Sequence, residues 1–147
     1  MNYVLDSSFC GAFIMPDERS QRTSDFFETI SEDSTLYVPS LFWFEISNLL
    51  VSAIKRKRIN KPDVFSLLEL LPKSKLNTDI VFGIEYANTV TALAAEYDLS
   101  SYDASYLELG CGLKKMKAII LAKMITRMVI VVKCSLLCRG KCIMKWR

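Results

Sequence analysis

The first apolar run of the chain, Tyr3-Val4-Leu5, stops abruptly at a carboxylate and two hydroxyls, Asp6-Ser7-Ser8. A run that short and that apolar reads as a buried strand. A second one, Leu36-Tyr37-Val38, is closed by Pro39. Helical patterning fills the interval: Phe9 to Met15, halted near Pro16, then Ser24 to Ile30, with Phe26, Phe27 and Ile30 on one face. Strand, helices, strand is the grammar of an α/β domain with a small parallel sheet. In such domains chemistry gathers outside the carboxyl ends of the strands. Asp6 stands at that position, and two readings of it are open. It holds a hard cation, or it (or Ser7) caps the helix that follows.

Further along, Ser40 reads as the N-cap of a long helix from about Leu41 to Lys57. Its end carries Lys55, Arg56, Lys57 and Arg58, which suits the negative end of a helix dipole. A helix is expected over Asn60 to Leu71, with Pro62 near its start and Pro72 after it. Leu76 to Thr78 reads as an extended link. The next helix opens at Asp79 or a neighbour and runs through Tyr97, and Ser100-Ser101 caps a last one from Tyr102 to about Leu109. At 147 residues, this is one domain with a proper core.

There is no histidine, so Ser-His and Cys-His nucleophiles and imidazole-ligated zinc are excluded. Carboxylates are the remaining candidates. Glu45 lies among Leu41, Phe42, Trp43, Phe44, Ile46, Leu49 and Leu50, where a lone Glu is rarely buried without a partner. Asn48, one turn on, shares its polar stripe, and a solvated outer face with Ser47 and Ser52 is the competing reading. Asp103 falls in the first turn of its helix, where the dipole alone would favour it. Lys55, Arg56, Lys57 and Arg58 form a compact basic cluster suited to phosphate contacts, or simply a solvated helix end. Core positions are the expectation for the aromatic Trp43 and Tyr102.

Three stretches in order, Val4-Leu5-Asp6-Ser7-Ser8, Pro39-Ser40 with Glu45 downstream, and Ser101-Tyr102-Asp103-Ala104-Ser105-Tyr106, resemble the PIN-domain family. Within it they are similar to the VapC-type ribonuclease toxins of bacterial toxin–antitoxin pairs. The resemblance covers roughly residues 1–110, a PIN-like core. It implies a Mg²⁺- or Mn²⁺-dependent endoribonuclease held inactive by a cognate VapB-type antitoxin. Asp6 and Asp103 would bind the metal, Glu45 would bind it directly or through water, and Ser8 would support Asp6. Mg²⁺ prefers oxygen ligands, keeps several waters, and is held by few carboxylates plus substrate phosphate. Family members are commonly dimers, so a homodimer is expected. The alternative is a catalytically impaired PIN remnant that binds only its antitoxin or RNA.

The likeness stops in the tail. Residues 1–110 carry all 16 acidic and nine basic residues, a balance of −7, whereas residues 111–147 carry ten basic and no acidic residue, a balance of +10. The family's fourth acidic residue, expected in a strand after the Asp103 helix, therefore has no counterpart. Three readings of residues 111–147 are open: a change of reading frame near codon 110, a basic RNA-binding arm, or an amphipathic membrane-surface segment. The apolar runs there are Ala118 to Leu121 and Met128 to Val132, and the second is a candidate substitute for the missing strand. Lys117, Lys123, Arg127 and Lys133 interrupt any spanning helix. Cys134, Cys138 and Cys142 match no familiar zinc spacing. No signal-peptide pattern precedes the first strand, and five cysteines without a secreted spacing suit reduced thiols, so a cytoplasmic protein is expected.

Overall fold

The computed structural model describes residues 2–72, 75–112 and 118–121. Its elements are β1 (Asn2–Leu5), α1 (Ser7–Ile14), α2 (Gln21–Thr29), β2 (Thr35–Pro39), α3 (Leu41–Lys55), α4 (Val64–Glu69), β3 (Leu76–Asp79), α5 (Ile84–Tyr97), α6 (Ser101–Gly112) and β4 (Ala118–Leu121). The strands form one sheet in the order β3-β2-β1-β4, and every pairing is parallel. Parallel neighbours need crossover connections, which the helices supply. All four carboxyl ends consequently lie along one edge, with Asp6 just beyond β1.

Side chains alternate across the sheet as the two-residue period requires. Leu5 of β1 with Leu36 and Val38 of β2 pack into a core built with α1, α3 and α4. Val4 and Tyr37 point to the opposite face, against Tyr106, Leu107 and Leu109 of α6 and Leu93 and Tyr97 of α5. Helices thus cover both faces, which explains why the strands read as continuous apolar runs. Rings of Tyr3, Phe9, Phe13, Phe26 and Phe27 meet edge-to-face or tilted, with centroids 4.3–5.9 Å apart, and seat α2 on α1.

In α3, Phe42, Ile46, Leu50 and Ala53 are buried at helical spacing. The helix ends at Lys55, three residues before the basic run does at Arg58. Lys57 turns left-handed (φ 57°), its N–H donates to the Ile54 carbonyl at 2.9 Å, and Arg58 N–H donates to the Ala53 carbonyl at 2.9 Å. These paired bonds close the helix in a Schellman motif.

Four expectations change. Leu76–Asp79 is a paired edge strand rather than a link, masked in the sequence by polar Asn77, Thr78 and Asp79, which an edge tolerates. The helix expected over Asn60–Leu71 divides into a 3₁₀ turn at Lys61–Asp63 and the short α4, since Pro62 permits only a helix start. Ser40 precedes α3 without capping it through its side chain, and its N–H instead donates to the Asp79 carbonyl at 3.1 Å. Trp43 and Tyr102 are not core residues, being 40% and 59% exposed. The strand beside β1 comes from Ala118–Leu121, while Met128–Val132 lies outside the described residues.

Candidate functional site

At Asp6 the capping reading holds. It is the N-cap of α1, its Oδ1 accepting the Ser8 N–H at 2.6 Å, and its charge interacts with those of Glu45 and Asp103. Burial pushes its carboxyl above the ordinary range, and the two neighbouring carboxylates add to that rise. Hydrogen bonds from the Ser8 hydroxyl and backbone N–H act in the opposite direction. One turn along α1, the fully buried Cys10 thiol is pushed up, first by burial and then by the Asp6 charge. It is a core residue, not a nucleophile.

Glu45 and Asp103 reach this place from different sides. Half-buried Glu45 flanks the buried stripe of α3, and one of its oxygens, Oε2, accepts the hydroxyl of Tyr106. Asp103 is exposed in the first turn of α6, where its Oδ2 accepts the Ser100 hydroxyl at 2.6 Å while its N–H donates to Ser100 Oγ at 3.1 Å. That exchange caps α6 and orients the carboxylate together. Asn48 is exposed on the turn beyond Glu45.

Tyr106 and Ser7 have no part in the site as read from sequence. Burial holds the Tyr106 hydroxyl well above the usual phenol range, followed by its bond to Glu45 and the charges of Glu45 and Asp6, with a hydrogen bond from Ser7 opposing. The usable signal was the buried Glu45, which needed a partner. A second acidic pair is also formed by the fold: Glu108 of α6 is raised by burial and then by the charge of Asp79 at the end of β3.

The basic cluster divides. Lys55, Arg56 and Lys57 are exposed, whereas Arg58 makes a two-pronged pair with Asp17, at 2.7 Å for both bonds, and reaches Glu18 at 2.7 Å. Arg58 therefore fastens the end of α3 to the segment between α1 and α2. From Glu45 to the end of α3 at Lys55 the axis advances about 15 Å.

Carboxylates and hydroxyls form an all-oxygen donor set, the kind hard cations take. Among the described residues no three His, Cys, Asp or Glu side chains are already arranged to hold a metal ion. A cation of the Mg²⁺ type asks for only one or two carboxylates, with water and phosphate completing its shell. Asp6 with one neighbour fits that requirement.

A profile of the PIN domain matches residues 3–123. The chain belongs to the PIN-domain family. Among curated relatives, ribonuclease VapC3 of Pyrobaculum aerophilum is 26% identical over 109 residues, spanning 74% of this chain and 81% of that one. Among solved structures, VapBC2 from Rickettsia felis, bound to a DNA fragment from its promoter, aligns with a TM-score of 0.62 at 16% identity. That alignment covers 85% of this chain and 89% of the other, and the shared feature is the fold. The PIN match runs past α6 and through β4, so the sheet's fourth strand lies within the matched span.

Proposed function

We propose that this PIN domain is a metal-dependent endoribonuclease, the toxin of a toxin–antitoxin pair acting in the cytoplasm. The observation that supports the reading is that Asp6, just beyond β1 at the carboxyl edge of a parallel sheet, feels the charges of Glu45 on α3 and Asp103 on α6. Asp6 and Asp103 hold Mg²⁺ or Mn²⁺, with Glu45 binding directly or through water. Ser8 fixes Asp6, and Asn48 extends the polar stripe of α3. When bound, the cation supplies Lewis-acid polarisation of a phosphoryl oxygen and acidifies water. Lys55, Arg56 and Lys57 steady the RNA backbone, with Arg58 organising them from its place between Asp17 and Glu18.

The likeness to a VapC ribonuclease supports an antitoxin as the natural partner. Exposed Phe44 and Val51 on α3, Phe65 on α4, and Ile80, Phe82 and Ile84 around the start of α5 offer apolar surface for that partner or a second copy. Among the described residues no helix is long and apolar enough to cross a membrane.

A second reading is a catalytically impaired module that binds antitoxin or RNA without cutting. The lack of any Asp or Glu after Glu108 favours it. Incubation with RNA and Mg²⁺ or Mn²⁺, beside Asp6→Asn and an EDTA control, separates the two. Cleavage that needs both the metal and Asp6 supports the nuclease. A folded protein that leaves RNA intact supports the binding module.

A further inference from the structure

Tyr106 has two ends in different environments. The residue is only 3% exposed: its ring packs with Val4, Leu107 and Leu109, while its hydroxyl reaches Glu45 and Ser7. It stands one helical turn after Asp103, so α6 offers a carboxylate and a phenol from the same face. A buried ring cannot swing away, and that makes its hydroxyl a fixed point in the site. Glu45, by contrast, is a long side chain whose carboxylate is free to adopt several orientations.

We propose that Tyr106 is a positioning residue for the nuclease site: its hydroxyl anchors Oε2 of Glu45 and leaves Oε1 to face the ligand beside Asp6. The inference rests on the metal-dependent reading above and assigns to this chain a residue outside its carboxylates. A phenol is a donor at neutral pH, so the bond persists under working conditions. Ser7, the first residue of α1, holds the same hydroxyl and links it to the helix that Asp6 caps. One hydrogen-bonded chain therefore runs from α1 through α6 to α3. Groups that orient metal ligands in this way are worth roughly 10- to 100-fold in metal affinity.

The test is calorimetric Mn²⁺ titration of the full chain and of Tyr106→Phe, which keeps the ring and its packing. Affinity is expected to fall about tenfold, with a far-UV spectrum like that of the parent. In a Glu45→Gln background the same change is expected to have no further effect, because the bond it removes serves Glu45. Unchanged Mn²⁺ affinity in Tyr106→Phe, when Glu45→Gln itself weakens binding, overturns the inference and leaves the nuclease reading standing. Equal losses in both backgrounds overturn it too. A parent protein that neither takes up Mn²⁺ nor cleaves RNA removes the reading underneath, and the inference with it. Should Tyr106→Phe not fold, Ser7→Ala unhooks the same hydroxyl from α1. Weaker Mn²⁺ binding then supports the proposal, and an unchanged value refutes it.

Discussion

Lys57 closes α3 and is proposed to contact RNA, and substitution separates the two roles. Its backbone sits at φ 57°, where a side chain crowds the following carbonyl at a cost of about 1–2 kcal/mol. Glycine escapes that cost but loses more chain entropy on folding, about 0.4–1 kcal/mol. The exposed side chain adds little packing to the balance. Lys57→Gly should therefore stabilise the domain by about 0.5–1 kcal/mol, or roughly 2–3 °C in Tm for a chain this size. Lys57→Ala keeps the backbone strain and removes the same charge, so its stability should stay near that of the parent. Both substitutions should lower the salt dependence of RNA binding by about 0.7 of a unit in log–log slope, the share of one phosphate contact to a single strand. Urea melts and RNA titrations at several salt concentrations read the two effects separately. A Lys57→Gly protein no more stable than Lys57→Ala would refute the claim that the Schellman turn stores strain. Unchanged salt slopes would remove Lys57 from the RNA path.

Asp6→Asn should raise stability in metal-free buffer while abolishing cleavage, since it removes a carboxylate that burial and two like charges disfavour. With its folded-state pKa raised, Asp6 contributes stability below its ordinary value of 3.8, and this is lost as pH rises through the folded value. The melting advantage of Asp6→Asn should accordingly grow as pH rises from about 4, and an advantage that shrinks would contradict the assigned burial. Phe42→Ala, at a fully buried position of α3, should cost about 3–5 kcal/mol in a urea melt, and a loss under 1 kcal/mol would place Phe42 outside the core. Tyr102→Ala should weaken RNA binding by about 1–3 kcal/mol if this exposed ring stacks on a base, with fluorescence anisotropy as the readout. Ending the chain at Gly112 removes β4, so its unfolding should be less cooperative by calorimetry than that of the full chain.

The parts of this molecule that local chemistry decides were readable in the sequence. β1 and β2 announce themselves because a parallel strand covered on both faces must be apolar throughout. Helix α3 follows from the spacing of Phe42, Ile46, Leu50 and Ala53. β3 escaped notice because an edge strand is defined by its pairing, and Asn77-Thr78-Asp79 has little of the usual composition. Trp43 was misplaced because its indole N–H finds Thr78 Oγ1 at 2.9 Å on the surface, a partner 35 positions away. The candidate residues were nameable one by one: Asp6 by its strand end and Glu45 by its apolar neighbours, Asp103 only by resemblance. The assembly of the site was not legible. That Glu45 meets Tyr106 and that Asp6 senses Asp103 are outcomes of the sheet order, and no local pattern encodes them.

The register of β1 with β4 gives the molecule a timetable as well as a shape. Asn2 pairs with Ala118, which is made long after it. Until that late segment emerges, one flank of β1 has open hydrogen-bonding groups, and Asp6 is carried on a half-made support. Closing so long a loop is also the slow kind of folding step. A ribosome-bound fragment of this chain would thus hold the acidic residues of the site without the sheet that aligns them. For a protein whose proposed substrate is RNA, completion of the sheet only after the acidic residues have been made would separate their translation from the onset of activity.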